Sequence, residues 1–168
     1  YADRLITLTA IILFVLSVLA IVMAPLIVAL YTPSDYPKNE FDLAVAFTRL
    51  CLPQIFFYGI YTMFSQVLNT RGKFGAPMFA PIANNIVAIS TFLLFIYFAG
   101  TAAAAEGNLS SGQVWLLGLG TTLGVIAQAL ILIPVLIRAG YMWRPRFDLR
   151  GHGLGKAGKL AVWTIGLV

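Results

Sequence analysis

LITLTAIILFVLSVLAIVMAPLIVALY, residues 5–31, contains no Asp, Glu, Lys, Arg or His. A helix needs about 20 apolar residues to cross the ~30 Å of hydrocarbon in a bilayer, and this stretch exceeds that length. Three further long apolar runs follow: Leu43 to Leu68, which carries the single charge Arg49, Phe79 to Ala99 and Val114 to Ile137. None of them alternates polar with apolar residues, as the ~10-residue strands of a membrane barrel do. Only helices and closed barrels satisfy their backbone hydrogen bonds in lipid. The sequence therefore predicts an all-α, polytopic transmembrane helix bundle.

The basic residues orient it. Arg4 precedes the first run, Arg71 and Lys73 lie between the second and third, and Arg138, Arg144, Arg146, Arg150, Lys156 and Lys159 follow the fourth. The intervening gaps are acidic or nearly uncharged: Thr32 to Asp42 sets Lys38 against Asp35, Glu40 and Asp42, and Gly100 to Gln113 has only Glu106. The positive-inside rule then predicts a cytoplasmic Tyr1 end, with the Arg71 loop and the segment after Arg138 on the same side. A composition of 60% hydrophobic and 10% charged residues is far from the soluble average of roughly 25% charged and fits a membrane protein. The sequence pI of about 9.6 does not point to nucleic acid, because the basic residues fall at membrane edges.

Residues 1–139 read as four transmembrane helices and 140–159 as a basic cytoplasmic linker. The linker interleaves Tyr141, Trp143 and Phe147 with Arg144, Arg146 and Arg150, as interfacial segments do. Residues 160–168 are apolar but reach only about 13 Å as a helix, the truncated start of a fifth span. Together with Tyr1 in place of a start methionine, this leads us to expect an internal piece of a larger membrane protein.

No metal-ligand spacing, phosphate-cradling glycine loop or nucleophile with its base is present, so no enzyme activity, metal or cofactor is expected. The lone histidine, His152, sits in a glycine-rich loop, and the lone cysteine, Cys51, lies inside an apolar run. Pro25, Pro53 and Pro134 lie within or near the spans and predict kinks, which suit a protein that bends. Gly118, Gly120, Gly124 and Ala127 place small residues where a neighbouring helix can approach, and Gln128 beyond them needs a partner or a wet cavity.

Arg49 is the residue of greatest interest. It lies six positions past Leu43, and an arginine at the bilayer centre costs about 2.5–3.5 kcal/mol on insertion scales. Two readings stay open: the side chain snorkels to the headgroups, or its planar fork faces a cavity and binds an anion. Gln66, Asn69, Asn84 and Asn85 cluster near the basic ends of the second and third spans. Each predicts an interhelical hydrogen bond or a place on a cavity wall.

The stretches Arg49-Leu-Cys-Leu-Pro53 and Gln66-Val-Leu68-Asn69-Thr-Arg71-Gly-Lys-Phe74-Gly-Ala76-Pro77-Met-Phe79-Ala80-Pro81-Ile-Ala-Asn84-Asn85 resemble the MurJ (MviN) family of lipid II flippases. That family belongs to the superfamily of multidrug, oligosaccharidyl-lipid and polysaccharide exporters. The glycine-rich span with Gln128, Pro134 and Gly140 is similar to the family's sixth helix. The resemblance implies helices three to six and the beginning of seven of a fourteen-helix transporter in the bacterial inner membrane. Its cargo would be an undecaprenyl-pyrophosphate-linked peptidoglycan precursor, moved between leaflets by alternating access. It carries over Arg49 alone as a headgroup contact, and Asn84 and Asn85 join it as substrate-binding candidates through their place on a cavity wall; the implied partners are the lipid-linked anionic precursor, membrane lipids and the remaining helices. Most of the family's cavity charges lie on helices outside this sequence.

Two other readings remain: a flippase for another polyprenyl-linked oligosaccharide or a drug exporter of the same superfamily, and a non-transporting scaffold for cell-wall enzymes. Every Asp and Glu lies in a loop or at a boundary, which counts against a cation-binding drug exporter.

Overall fold

The computed structural model describes residues 2–105, 109–142 and 144. Among the described residues, seven helical segments build four spans. The first span is α1 (Ala2–Val22) followed by α2 (Ala24–Tyr31), the second is α3 (Lys38–Cys51) followed by α4 (Gln54–Thr70), and the third is the single helix α5 (Gly75–Ala105). The fourth joins α6 (Ser111–Leu130) to α7 (Leu132–Arg138). The predicted linker and fifth span lie outside the described residues except for 140–142 and 144.

Three helix ends have a clear local cause. Ser110 caps α6 in a reciprocal capping box with Gln113. Gly72 (φ 70°) and Gly140 (φ 75°) adopt the left-handed conformation after α4 and α7. In both places the next amide reaches back five residues, Lys73 N to Leu68 O and Tyr141 N to Leu136 O, each at 2.9 Å. These are Schellman endings, which a side chain at the glycine would strain. Both bring the chain to the end of the bundle that carries Asp3, Arg71 and Ala139, here called the basic end.

Pro25 and Pro53 sit at breaks between helical segments, and Pro134 follows a break at Ile131 by three residues. Helix α5 runs through Pro81 without interruption. A proline within a helix leaves the carbonyl four residues earlier without its amide. Pro81 frees the carbonyl of Pro77, and the Tyr61 hydroxyl of α4 donates to it at 2.7 Å. At the Pro53 break, Thr122 of α6 donates to Leu50 O at 2.8 Å and Ser17 of α1 donates to Leu52 O at 3.3 Å. The Gln54 amide nitrogen completes this group by donating to Thr121 and Thr122 at 3.3 and 3.1 Å. Neighbouring hydroxyls thus take up carbonyls at the proline sites, as a low-dielectric setting demands. The helix is interrupted at Pro53, and the interruption is held from two sides.

Helix α6 is the central packing element, wedged against α3, α4 and α5. Its glycines serve two neighbours rather than one. Gly118 meets Leu50 of α3, whereas Gly120 and Gly124 meet Thr91 and Asn84 of α5. A Cβ at Gly118 would lie 2.7 Å from Leu50 Cβ, an atom that no rotamer change can move aside. Gly118→Ala is therefore expected to lower stability: overpacking costs about 1–3 kcal/mol, against at most ~1 kcal/mol gained in helix propensity. Thermal unfolding of the full-length protein in detergent reads the difference.

Apolar side chains at the basic end form one core: Ile6 and Ala10 of α1, Ile60, Phe64 and Leu68 of α4, Ala80 of α5, and Leu132 and Leu136 of α7. A smaller core of Ala24, Val28 and Val45 lies towards the opposite end. Phe14, Val15, Leu19, Ile86, Ile89 and Leu93 are exposed, which suits spans surrounded by lipid or by further helices.

Candidate functional site

The packing of its neighbour Leu50 sets the orientation of Arg49. Leu50 packs on Gly118 of α6. Its neighbour Arg49 lies ~100° round the helix and is exposed. Among the described residues the guanidinium makes no hydrogen bond or ion pair.

Asn84 and Asn85 diverge in the same way. Asn84 is half-buried against Gly124, where a Cβ would come 3.1 Å from its carbonyl oxygen, and its amide nitrogen donates to the Tyr58 hydroxyl at 3.5 Å. Asn85 is exposed, without a hydrogen bond among the described residues. The bond expected of each asparagine is thus made by Asn84 alone. Arg49 and Asn84 also stand at different depths. Leu50 lies level with Gly118 and Asn84 with Gly124, six residues or about 9 Å along α6.

From the level of Asn84 towards the basic end runs a polar stripe on α4, of which the sequence alone singles out Gln66. Tyr58, Thr62 and Gln66 follow one another at intervals of four on α4, and all three are exposed. The regular spacing of Tyr, Thr and Gln in an otherwise apolar run was the signal available. The Thr62 hydroxyl donates to Tyr58 O, while the Gln66 amide has no partner among the described residues. Gln128, by contrast, is only 3% exposed and makes no hydrogen bond among the described residues.

A guanidinium and two amides without protein partners are poorly matched to acyl chains, since unpaired polar groups in hydrocarbon cost several kcal/mol each. Four apolar spans, with Arg49 exposed on α3 and the Tyr58–Thr62–Gln66 stripe of α4 beside Asn84 of α5, define a polytopic helical membrane protein. Comparison with known sequences agrees. The family model described as lipid II flippase MurJ matches residues 1–168. A probable lipid II flippase MurJ of Haemophilus influenzae is 29% identical over 156 residues, covering 88% of this chain and 28% of that protein. The Vibrio cholerae counterpart is 28% identical over 124 residues, 74% of this chain and 22% of the relative. The lipid II flippase MurJ of Burkholderia cenocepacia is 37% identical over 89 residues, 52% of this chain and 17% of the relative. No solved structure matches the chain. The chain belongs to the MurJ lipid II flippase family, and it spans between about a sixth and about a quarter of the length of these curated relatives.

Proposed function

We propose that the protein to which these spans belong moves lipid II from the inner to the outer leaflet of a bacterial plasma membrane by alternating access, without covalent chemistry. The relatives named as lipid II flippases support the cargo. The single observation on this chain that carries the reading is Arg49, a cation within a span that is exposed and unpaired among the described residues. A pyrophosphate cannot cross hydrocarbon unaided, and a guanidinium facing a cavity offsets part of that penalty through paired, charge-assisted hydrogen bonds.

Tyr58, Thr62, Gln66 and Asn84 then continue the wall from the level of Arg49 towards the basic end. Asn85 joins this wall or meets a helix beyond it. The charge pattern supports a cytoplasmic basic end. The remaining spans supply the rest of the cavity.

Complementation tests the cargo. In cells depleted of their own flippase, the full-length protein is expected to restore delivery of lipid II to the outer leaflet, read by its accessibility to an external probe. A stably inserted protein that leaves delivery at the depleted level would remove the assignment and favour another polyprenyl-linked cargo.

A further inference from the structure

At the basic end, three elements distant in sequence meet around Tyr141. Its hydroxyl donates to a carboxylate oxygen of Asp3, at the start of α1, at 2.6 Å. The Arg71 guanidinium, from the α4–α5 turn, lies over the tyrosine ring with its carbon 5.3 Å from the centroid. The same guanidinium donates to Ala139 O at 2.5 Å, capping the carbonyl end of α7. Each partner is held by its own backbone. Arg71 follows α4 immediately before the left-handed Gly72, and Tyr141 follows the left-handed Gly140. Tyr141 is 9% exposed and completes the core formed by Ile6, Phe64 and Leu136.

We propose that Tyr141 is a positioning residue: with Asp3 and Arg71 it forms a clasp that fixes the chain leaving α7 to the start of α1 and to the α4–α5 turn, so that these ends move as one body. A short O–H···O contact to an ionised carboxylate is among the stronger protein hydrogen bonds, and a cation over a desolvated ring adds to it. Burial, then the hydrogen bond and charge of Asp3, hold the hydroxyl well above its ordinary pKa of 10, with Arg71 opposing. The donor therefore persists across physiological pH. The clasp carries a mechanical consequence for a transporter. Whatever follows residue 142 starts from a point tied to two other helices, so its displacement is passed to α1 and α4 rather than absorbed at Gly140.

The proposal relies on the transport reading only for its functional readout. In the full-length protein, Tyr141→Phe keeps the ring and loses the hydroxyl, and is expected to lower the Tm. Asp3→Asn, which keeps an acceptor, is expected to lose less than Asp3→Ala. For the second arm, native cysteines including Cys51 are replaced, and the Asp3→Cys/Tyr141→Cys pair is treated with a short bismaleimide. The pair is expected to cross-link efficiently, to flip lipid II more slowly than the cysteine-free parent before cross-linking, and to recover afterwards.

Failure to cross-link in a folded, inserted protein would overturn the clasp. So would arrest by the cross-link followed by recovery when a cleavable linker is cut, because the two ends would then have to part during the cycle. A cysteine-free parent that flips nothing overturns the transport reading instead, while Tm and cross-linking yield still report on the clasp.

Discussion

Arg49→Ala in the full-length protein is expected to insert and accumulate normally while flipping lipid II about tenfold more slowly or worse. Normal accumulation follows from the absence of any hydrogen bond or ion pair to the guanidinium among the described residues, so no partner is stranded by the change. Removing an exposed arginine from a span also relieves an insertion penalty. The loss of rate follows from a hydrogen bond to a charged group being worth about 1.5–3 kcal/mol, roughly 10- to 150-fold at 1.4 kcal/mol per decade. Arg49→Lys keeps the charge but loses the planar fork, so an intermediate rate is expected. A snorkelling arginine gives a different result, with both variants at the wild-type rate. The comparison needs only an accessibility assay for outer-leaflet lipid II and an immunoblot of the membrane fraction.

The spans were legible because hydrocarbon imposes a length and a composition that few other structures share, and the four apolar runs satisfied both. The alternation of basic and acidic gaps likewise anticipated that Asp3, Arg71 and Ala139 meet at one end of the bundle. The proline sites were only half legible. Pro53 announced a break, but Ser17 and Thr122, which hold it, lie on other helices more than thirty residues away in sequence. A serine or threonine in an apolar run carries no mark of the carbonyl it will meet. Pro81, quoted only as part of a motif, stays helical because Tyr61 supplies the donor.

The glycine stripe of α6 was readable as packing, yet not that Gly118 and Gly124 face different helices, because spacing on one helix says nothing about the neighbour. Arg49 was visible as a cation in a span, while its exposure depends on Leu50 being the residue that packs on α6. Tyr141 was read as part of an interfacial aromatic pattern. Its role emerged only from the left-handed turn that carries it back to Asp3.

The hold on the Pro53 break leads to the second large effect. Thr122 is 5% exposed, and its one hydroxyl proton is shared between Leu50 O at 2.8 Å and Gly118 O at 3.0 Å while its oxygen accepts from the Gln54 amide. Thr122→Val keeps the shape and removes the hydroxyl, leaving a freed carbonyl without its donor and depriving Gln54 of one of two acceptors. The expected loss is about 1–3 kcal/mol, the cost of a buried group left unsatisfied, seen as a fall in Tm of the detergent-solubilised protein. Thr122→Ser retains the hydroxyl and is expected to recover most of it. Ser17→Ala is expected to be milder, because Leu52 O keeps a backbone bond from Ile55 at 3.1 Å.

The decisive comparison is in a Pro53→Ala background. There the segment between α3 and α4 regains an amide at residue 53 and is free to continue as one helix, with Gln54 N available to Leu50 O. Thr122→Val then leaves little unsatisfied, so the two substitutions are expected to couple by about 1 kcal/mol or more in a double-mutant cycle. A pinned break and a working hinge separate cleanly here. If the two helices flexed about Pro53 during transport, Thr122→Val would leave Tm unchanged and alter the flipping rate. If α3 and α4 move as one rigid piece held by α1 and α6, stability falls first and transport follows it.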